Sequence, residues 1–192
     1  MKKRILIAAA VFGTSAAPAF AHLNPSEHGS LMAGLSHPLL GADHVLAMVA
    51  VGLWAVQIGR RALWAVPVAF VAAMALGFTL SVAGVALPFV EPAILASVVA
   101  LGLVVAMAVR LSPASAAAVV GLFALFHGHA HGGELGAAGA WTFAIGFTIA
   151  TALLHAAGVG LGAAFSRISS GGTFGRIAGA VTALAGATLI LG

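Results

Sequence analysis

Two short stretches hold most of the side chains in this chain that can do chemistry. The first is Ser36–Ala55, where His37, Asp43 and His44 stand at the start of an apolar run. The second is Phe126-His127-Gly128-His129-Ala130-His131-Gly132-Gly133-Glu134. An ionisable residue inside an apolar span is costly, up to roughly 2.5–3.5 kcal/mol at the helix centre on insertion scales. This chain has only four acidic residues, and one of them, Asp43, lies there. Imidazoles joined by a carboxylate, with no thiolate, suit a divalent transition metal such as Ni, Co, Zn or Cu(II). Sites for Mg or Ca take more oxygen. Only neutral imidazole binds a metal, so binding should weaken as pH falls.

Spacing limits how these groups can cooperate. On one straight helix His37 and His44 share a face, about 10 Å apart along the axis, and Asp43 lies about 100° round from His44. Two imidazoles so placed do not readily share an ion, unless Pro38 and Gly41 open the first turn and bring His37 closer. The plain alternative is a helix entry with an interfacial His and an Asp at the positive end of the helix dipole. His127 and His131 are four apart on one helix face, a common spacing for two ligands of one metal. His129 points away on a regular helix, so all three meet only if Gly128, Gly132 and Gly133 break it. The plain alternative is a polar, glycine-rich exit from the membrane. His155, deep in a later apolar segment, is a candidate transit site or a core histidine satisfied by a threonine hydroxyl. His22 is a candidate chelator if it becomes a free N-terminus. Met48, Met74 and Met107 read as core filler.

The elements that must position these groups are membrane helices. The chain of 192 residues is 62% hydrophobic and 6% charged, where soluble domains carry about 25% charged residues. Its mean hydropathy is +1.16. With no cysteine, disulfides, thiolate sites and thiol catalysis are excluded. Met1–Ala21 has the basic start, short apolar run and Ala-Phe-Ala end of a cleaved secretory signal. The formal charge of +4 then falls close to neutral, because Lys2, Lys3 and Arg4 leave with it. No basic patch for nucleic acid remains.

The expected fold is all-α and integral to the membrane: a signal peptide over 1–21, a short periplasmic lead over 22–36, and a six-helix domain over 37–192. The six apolar segments are Pro38–Ile58, Ala62–Ala83, Ala93–Val109, Ala114–His131, Ala138–Phe165 and Phe174–Leu191, each near the roughly 20 residues that span a bilayer. An external mature N-terminus places Arg60, Arg61, Arg110, Arg167 and Arg176 on the cytoplasmic side, and Glu27, Glu91 and Glu134 on the other. The positive-inside rule therefore agrees with the signal peptide. Both mature termini would be periplasmic, in a bacterial inner membrane. Both His-rich stretches would lie at the outer end. Gly158-x-x-x-Gly162 and Gly175-x-x-x-Gly179 allow close helix contact.

On the residues His37-Pro38-Leu39-Leu40-Gly41-Ala42-Asp43-His44, Leu46-Ala47-Met48, Val51-Gly52-Leu53-Trp54-Ala55 and Phe126 to Glu134, the chain resembles the HupE/UreJ family of bacterial nickel and cobalt permeases. The resemblance covers essentially the whole mature chain. It implies uptake of Ni²⁺, with Co²⁺ as an alternative substrate, for a hydrogenase or urease maturation system, and no prosthetic group. It implies functional roles for His37, Asp43 and His44, and for Phe126, His127 and Glu134 with the adjacent His129 and His131. A homo-oligomer is compatible with it. The expected mechanism is capture by His127, His129, His131 and Glu134, transfer to Asp43 and His44, and passage by way of His155. No phosphate-binding loop is present, so this chain hydrolyses no ATP. Rival readings are a haem-binding membrane cytochrome subunit, a cobalt or zinc permease of the same architecture, an intramembrane metalloenzyme, and a periplasmic metal sensor or metallochaperone anchor.

Overall fold

A computed structural model describes residues 30–135, 139–168 and 172–192. The signal segment and His22 lie outside the described residues. Seven helices follow in order: α1 (Leu31–Leu40), α2 (Ala42–Ile58), α3 (Ala62–Val82), α4 (Val90–Ala106), α5 (Pro113–Leu135), α6 (Ala140–Ile168) and α7 (Thr173–Leu191). There is no strand among the described residues. Long runs of Ala, Leu, Val and Gly leave little side-chain hydrogen bonding, and in lipid the backbone must satisfy itself; helices do so within one segment.

Four helices are long and apolar enough to cross a membrane: Ala62–Val82, Pro113–Gly132, Ala140–Ile168 and Thr173–Leu191. The bent pair α1–α2 passes the same test together, and α4 is a shorter apolar helix. The chain is thus a multi-helical membrane protein, and its surface bears this out. Leu122, Leu153 and Leu184 are 60%, 63% and 69% exposed, while His44 and His155 are 6% and 2% exposed. Apolar residues face outward and several ionisable ones face inward.

The first segment departs from expectation. Pro38–Ile58 is not one straight helix, because α1 and α2 meet at an angle of 84°. The helical region also begins earlier, within the expected lead. Ser30 caps α1 by accepting from the Ala33 N–H at 3.0 Å. Pro38 cannot donate a backbone hydrogen bond, and Gly41 then takes an extended conformation (φ −90°, ψ 115°) that ends α1 and starts α2. A Cβ at Gly41 would lie 2.8 Å from Asp43 Oδ1 and 3.0 Å from His44 Nδ1. The corner favours glycine because the Asp43 and His44 side chains fold back over it.

Helix pairing is set by glycine. α3 packs most extensively on α5, α4 on α7, and α6 receives both α1 and α2. A Cβ on Gly128 would meet the Met74 carbonyl, and one on Gly77 would meet the Leu125 carbonyl, so α3 and α5 touch backbone to backbone. Such contact rewards small residues, since van der Waals packing drives association in lipid. Gly158 and Gly179 of the two small-residue motifs make equally close contacts, against α2 and α4.

All five arginines of the described residues gather at one end. Arg60 and Arg61 lie between α2 and α3, Arg110 follows α4, Arg167 lies in the last turn of α6, and Arg176 lies near the start of α7. Side chains tie that end together: Trp54 Nε1 donates to the Val109 carbonyl (2.8 Å), Gln57 Nε2 to that of Val105 (3.1 Å), and Arg176 Nε to that of Ala106 (2.9 Å).

Candidate metal-cation site

The α1–α2 corner and α5 bring the two His-rich stretches together at the other end of the bundle. His37 comes from α1, Asp43 and His44 from the first turn of α2, and His127 and His131 from one face of α5. The His37 and His131 ring centroids are 4.3 Å apart, those of His44 and His131 4.9 Å, and those of His44 and His127 5.0 Å. The bend also brings the His37 ring within 6.1 Å of that of His44, where seven residues of straight helix would set them about 10 Å apart along the axis. Phe147 of α6 closes one side, 5.0 Å from His131 and 6.1 Å from both His37 and His44. Phe143 packs on His37 at 5.6 Å, and Phe70 on His127 at 5.8 Å.

Hydrogen bonds fix the proton on each ring. His44 Nδ1 is 2.9 Å from Asp43 Oδ1; a carboxylate only accepts, so His44 Nδ1–H donates. With His44 neutral, its Nε2 is then an acceptor, and the 2.7 Å contact to His131 Nε2 is a bond donated by His131. This leaves a lone pair on His131 Nδ1, which is buried and has no partner. The same logic holds for His127. Ser97 Oγ–H donates to the Ile94 carbonyl at 2.6 Å, so at 2.9 Å it accepts from His127 Nε2–H. His127 Nδ1 is left as a second buried lone pair with no partner. An unsatisfied buried polar group costs about 1–3 kcal/mol. Two of them, beside an imidazole oriented by a carboxylate, form an arrangement that presents nitrogen to a metal.

Among the described residues, no three His, Asp or Glu side chains already converge as a closed metal site does. The cluster is contracted on itself. A metal about 2.0–2.1 Å from each of two nitrogens cannot sit between Nε2 atoms held 2.7 Å apart by a hydrogen bond unless that bond opens.

Other expected residues lie elsewhere. α5 continues unbroken past the glycines, so His129 stays on the opposite side, where its Nε2–H donates to the Val85 carbonyl at 2.7 Å. Phe126 is half-buried on α5; the rings packed on the imidazoles are those of Phe70, Phe143 and Phe147. Glu134 is in the last turn of α5, and its side chain falls outside the described residues. His155 is buried against Phe70, at 4.9 Å, and neither ring nitrogen has a partner; the expectation that a nearby threonine hydroxyl satisfies it is not met. Ser97 escaped sequence reasoning. A lone serine in an apolar helix ordinarily bonds its own backbone, and nothing in its neighbours marks it as a partner of His127.

The fold thus joins two motifs 87 positions apart around one buried nitrogen-rich cluster. The comparisons with known proteins place the chain in a family. The family described as HupE / UreJ protein matches residues 9–189. Protein HupE of Rhizobium leguminosarum bv. viciae is 48% identical over 179 residues, covering 92% of this chain and 93% of that protein. No solved structure matches. With nearly the whole chain matched, and both motifs inside the match, the protein belongs to the HupE/UreJ family.

Proposed function

We propose that this protein is a permease for a divalent transition-metal cation, with Ni²⁺ the favoured substrate and Co²⁺ next. One observation carries the reading: buried imidazole lone pairs, two of them unpartnered, lie inside an apolar bundle beside a single carboxylate. Water or a permanent cation would satisfy a fixed site; a passing cation suits one that closes on itself between passages. With the tautomers above, His44 Nε2, His127 Nδ1 and His131 Nδ1 each offer a lone pair without releasing a proton. Opening the His44–His131 bond frees the first of them. Asp43, through His44, supplies negative charge as the ion sheds water.

The chain crosses a bacterial inner membrane six times in this reading, with α1–α2 as a broken first span and α4 as a short third. The arginine end is cytoplasmic, by the positive-inside rule, and both mature termini are periplasmic. Such a broken helix at an ion site is familiar in transporters, where irregular backbone is tolerated lining a cavity. The metal would serve hydrogenase or urease maturation, the use the family resemblance implies.

Uptake of radiolabelled nickel by cells expressing Asp43→Asn, His44→Ala or His127→Ala tests this. Each variant should lose most of the uptake at normal membrane levels. Intact uptake in all three would refute the proposed site.

A further inference from the structure

Below the cluster, one stripe of α6 runs Phe147, Thr151, His155 at intervals of four. His155 is therefore about 12 Å along the axis from Phe147, and Thr151 is midway. α3 runs antiparallel to α6 and sets Met74 opposite Thr151 and Phe70 opposite His155: Thr151 Oγ1 donates to Met74 Sδ at 3.6 Å, and the Phe70 and His155 centroids are 4.9 Å apart. Met74, Thr151 and His155 are all buried, at 2%, 0% and 2% exposure. Both His155 nitrogens lack a partner, although one must carry a proton and the other a lone pair. His155 also lines a cleft of about 620 Å³ between α3 and α6 whose other walls, Leu63, Pro67, Val71 and Ala75 among them, are apolar apart from Thr148. Thr148 brings the one hydroxyl to that lining, and it makes no hydrogen bond to His155.

We propose that the Met74 thioether, the Thr151 hydroxyl and the His155 imidazole form a second, inner resting site for the cation. The inference rests on the permease reading and extends it. Between the Phe147 level, where the outer cluster ends, and His155, Met74 Sδ and Thr151 Oγ1 supply donors on the intervening turn. The hydroxyl, which donates to the sulfur, keeps the thioether turned toward α6. A sulfur and nitrogen pair favours soft and borderline cations such as Ni, Co and Cu over Mg, Ca and Mn. Met74 is thus a selectivity element here and not core filler alone.

The chain has no cysteine, so any metal–sulfur contact must come from methionine. X-ray absorption at the nickel edge, on the full purified protein loaded with Ni²⁺, should show sulfur beside nitrogen, and Met74→Leu should remove the sulfur. Met74→Leu conserves volume, and such swaps are tolerated in cores. It should lower nickel uptake on the order of tenfold, as lost supporting ligands do. Thr151→Val should behave likewise and Thr151→Ser should recover. Wild-type uptake with no sulfur signal, and no change in Met74→Leu, would overturn the inner site and leave the permease standing. If the wild type carried no nickel, the permease reading would fail; an absent sulfur signal in that protein would overturn the inner site as well, and a sulfur signal lost in Met74→Leu would uphold it as a binding site.

Discussion

Gly41→Ala should separate function from stability. The added Cβ would fall 2.8 Å from Asp43 Oδ1 and 3.0 Å from His44 Nδ1. Ordinary contact begins near 3.4 Å, so the carboxylate oxygen must retreat by about 0.6 Å, the difference of the two distances. The Asp43–His44 bond, now 2.9 Å, stretches toward the limit of hydrogen bonding or turns out of line. A hydrogen bond to a charged group contributes about 1.5–3 kcal/mol, and its loss also frees the His44 ring to change tautomer. The backbone tolerates alanine, since φ at Gly41 is −90°, and the oxygen that must move ends a side chain partly open to its surroundings. The folded protein should therefore lose less than about 2 kcal/mol, on the scale of typical single substitutions, while nickel uptake falls steeply. Gly160→Ala is the control: its Cβ would have nothing within 4 Å, and alanine favours the helix by about 0.5–1 kcal/mol. Thermal melting in detergent and initial uptake rates should be measured together. Wild-type uptake by well-expressed Gly41→Ala would refute the claim that the folded-back Asp43–His44 pair is essential.

Three further outcomes are expected. Gly128→Ala drives a Cβ into the Met74 backbone, which cannot yield as a side-chain tip can, and should cost about 3 kcal/mol, seen as a lower melting temperature and less protein in the membrane. Ser97→Ala leaves His127 Nε2–H without its acceptor, a loss of about 1–3 kcal/mol; uptake should fall and Ser97→Thr should restore it, whereas equal uptake in all three proteins would remove Ser97 from the site. His129→Ala should keep most of the uptake, because that ring is bonded to the Val85 carbonyl away from the cluster, and a loss as deep as that of His44→Ala would contradict the placement.

Much of this was legible in sequence. From the second onward, the apolar segments marked the helices to within a few residues, because a membrane helix must satisfy its backbone internally and announces itself by length. The i, i+4 spacing of His127 and His131 predicted their shared face, and the opposite position of His129 followed from the same geometry. The 84° corner was only half visible. Pro38 and Gly41 hinted at an open turn, but the need for glycine at 41 comes from side chains that fold back over it. The meeting of α2 with α5 was beyond local pattern, since α5 is seated on α3 by contacts such as Gly128 on Met74 and α2 on α6 by Gly52 and Gly158, and glycine is common throughout these helices. Ser97 and Met74 were missed for a related reason. Each is an ordinary residue in an apolar run until tertiary packing sets it beside His127 or Thr151.

The most direct test is flux through the purified protein alone. Proteoliposomes carrying it, with a nickel-sensitive dye inside, should show signal on external addition of Ni²⁺, reduced by added Co²⁺ and absent with His44→Ala. Vesicles with the wild-type protein that admit nickel no faster than protein-free vesicles would contradict the account.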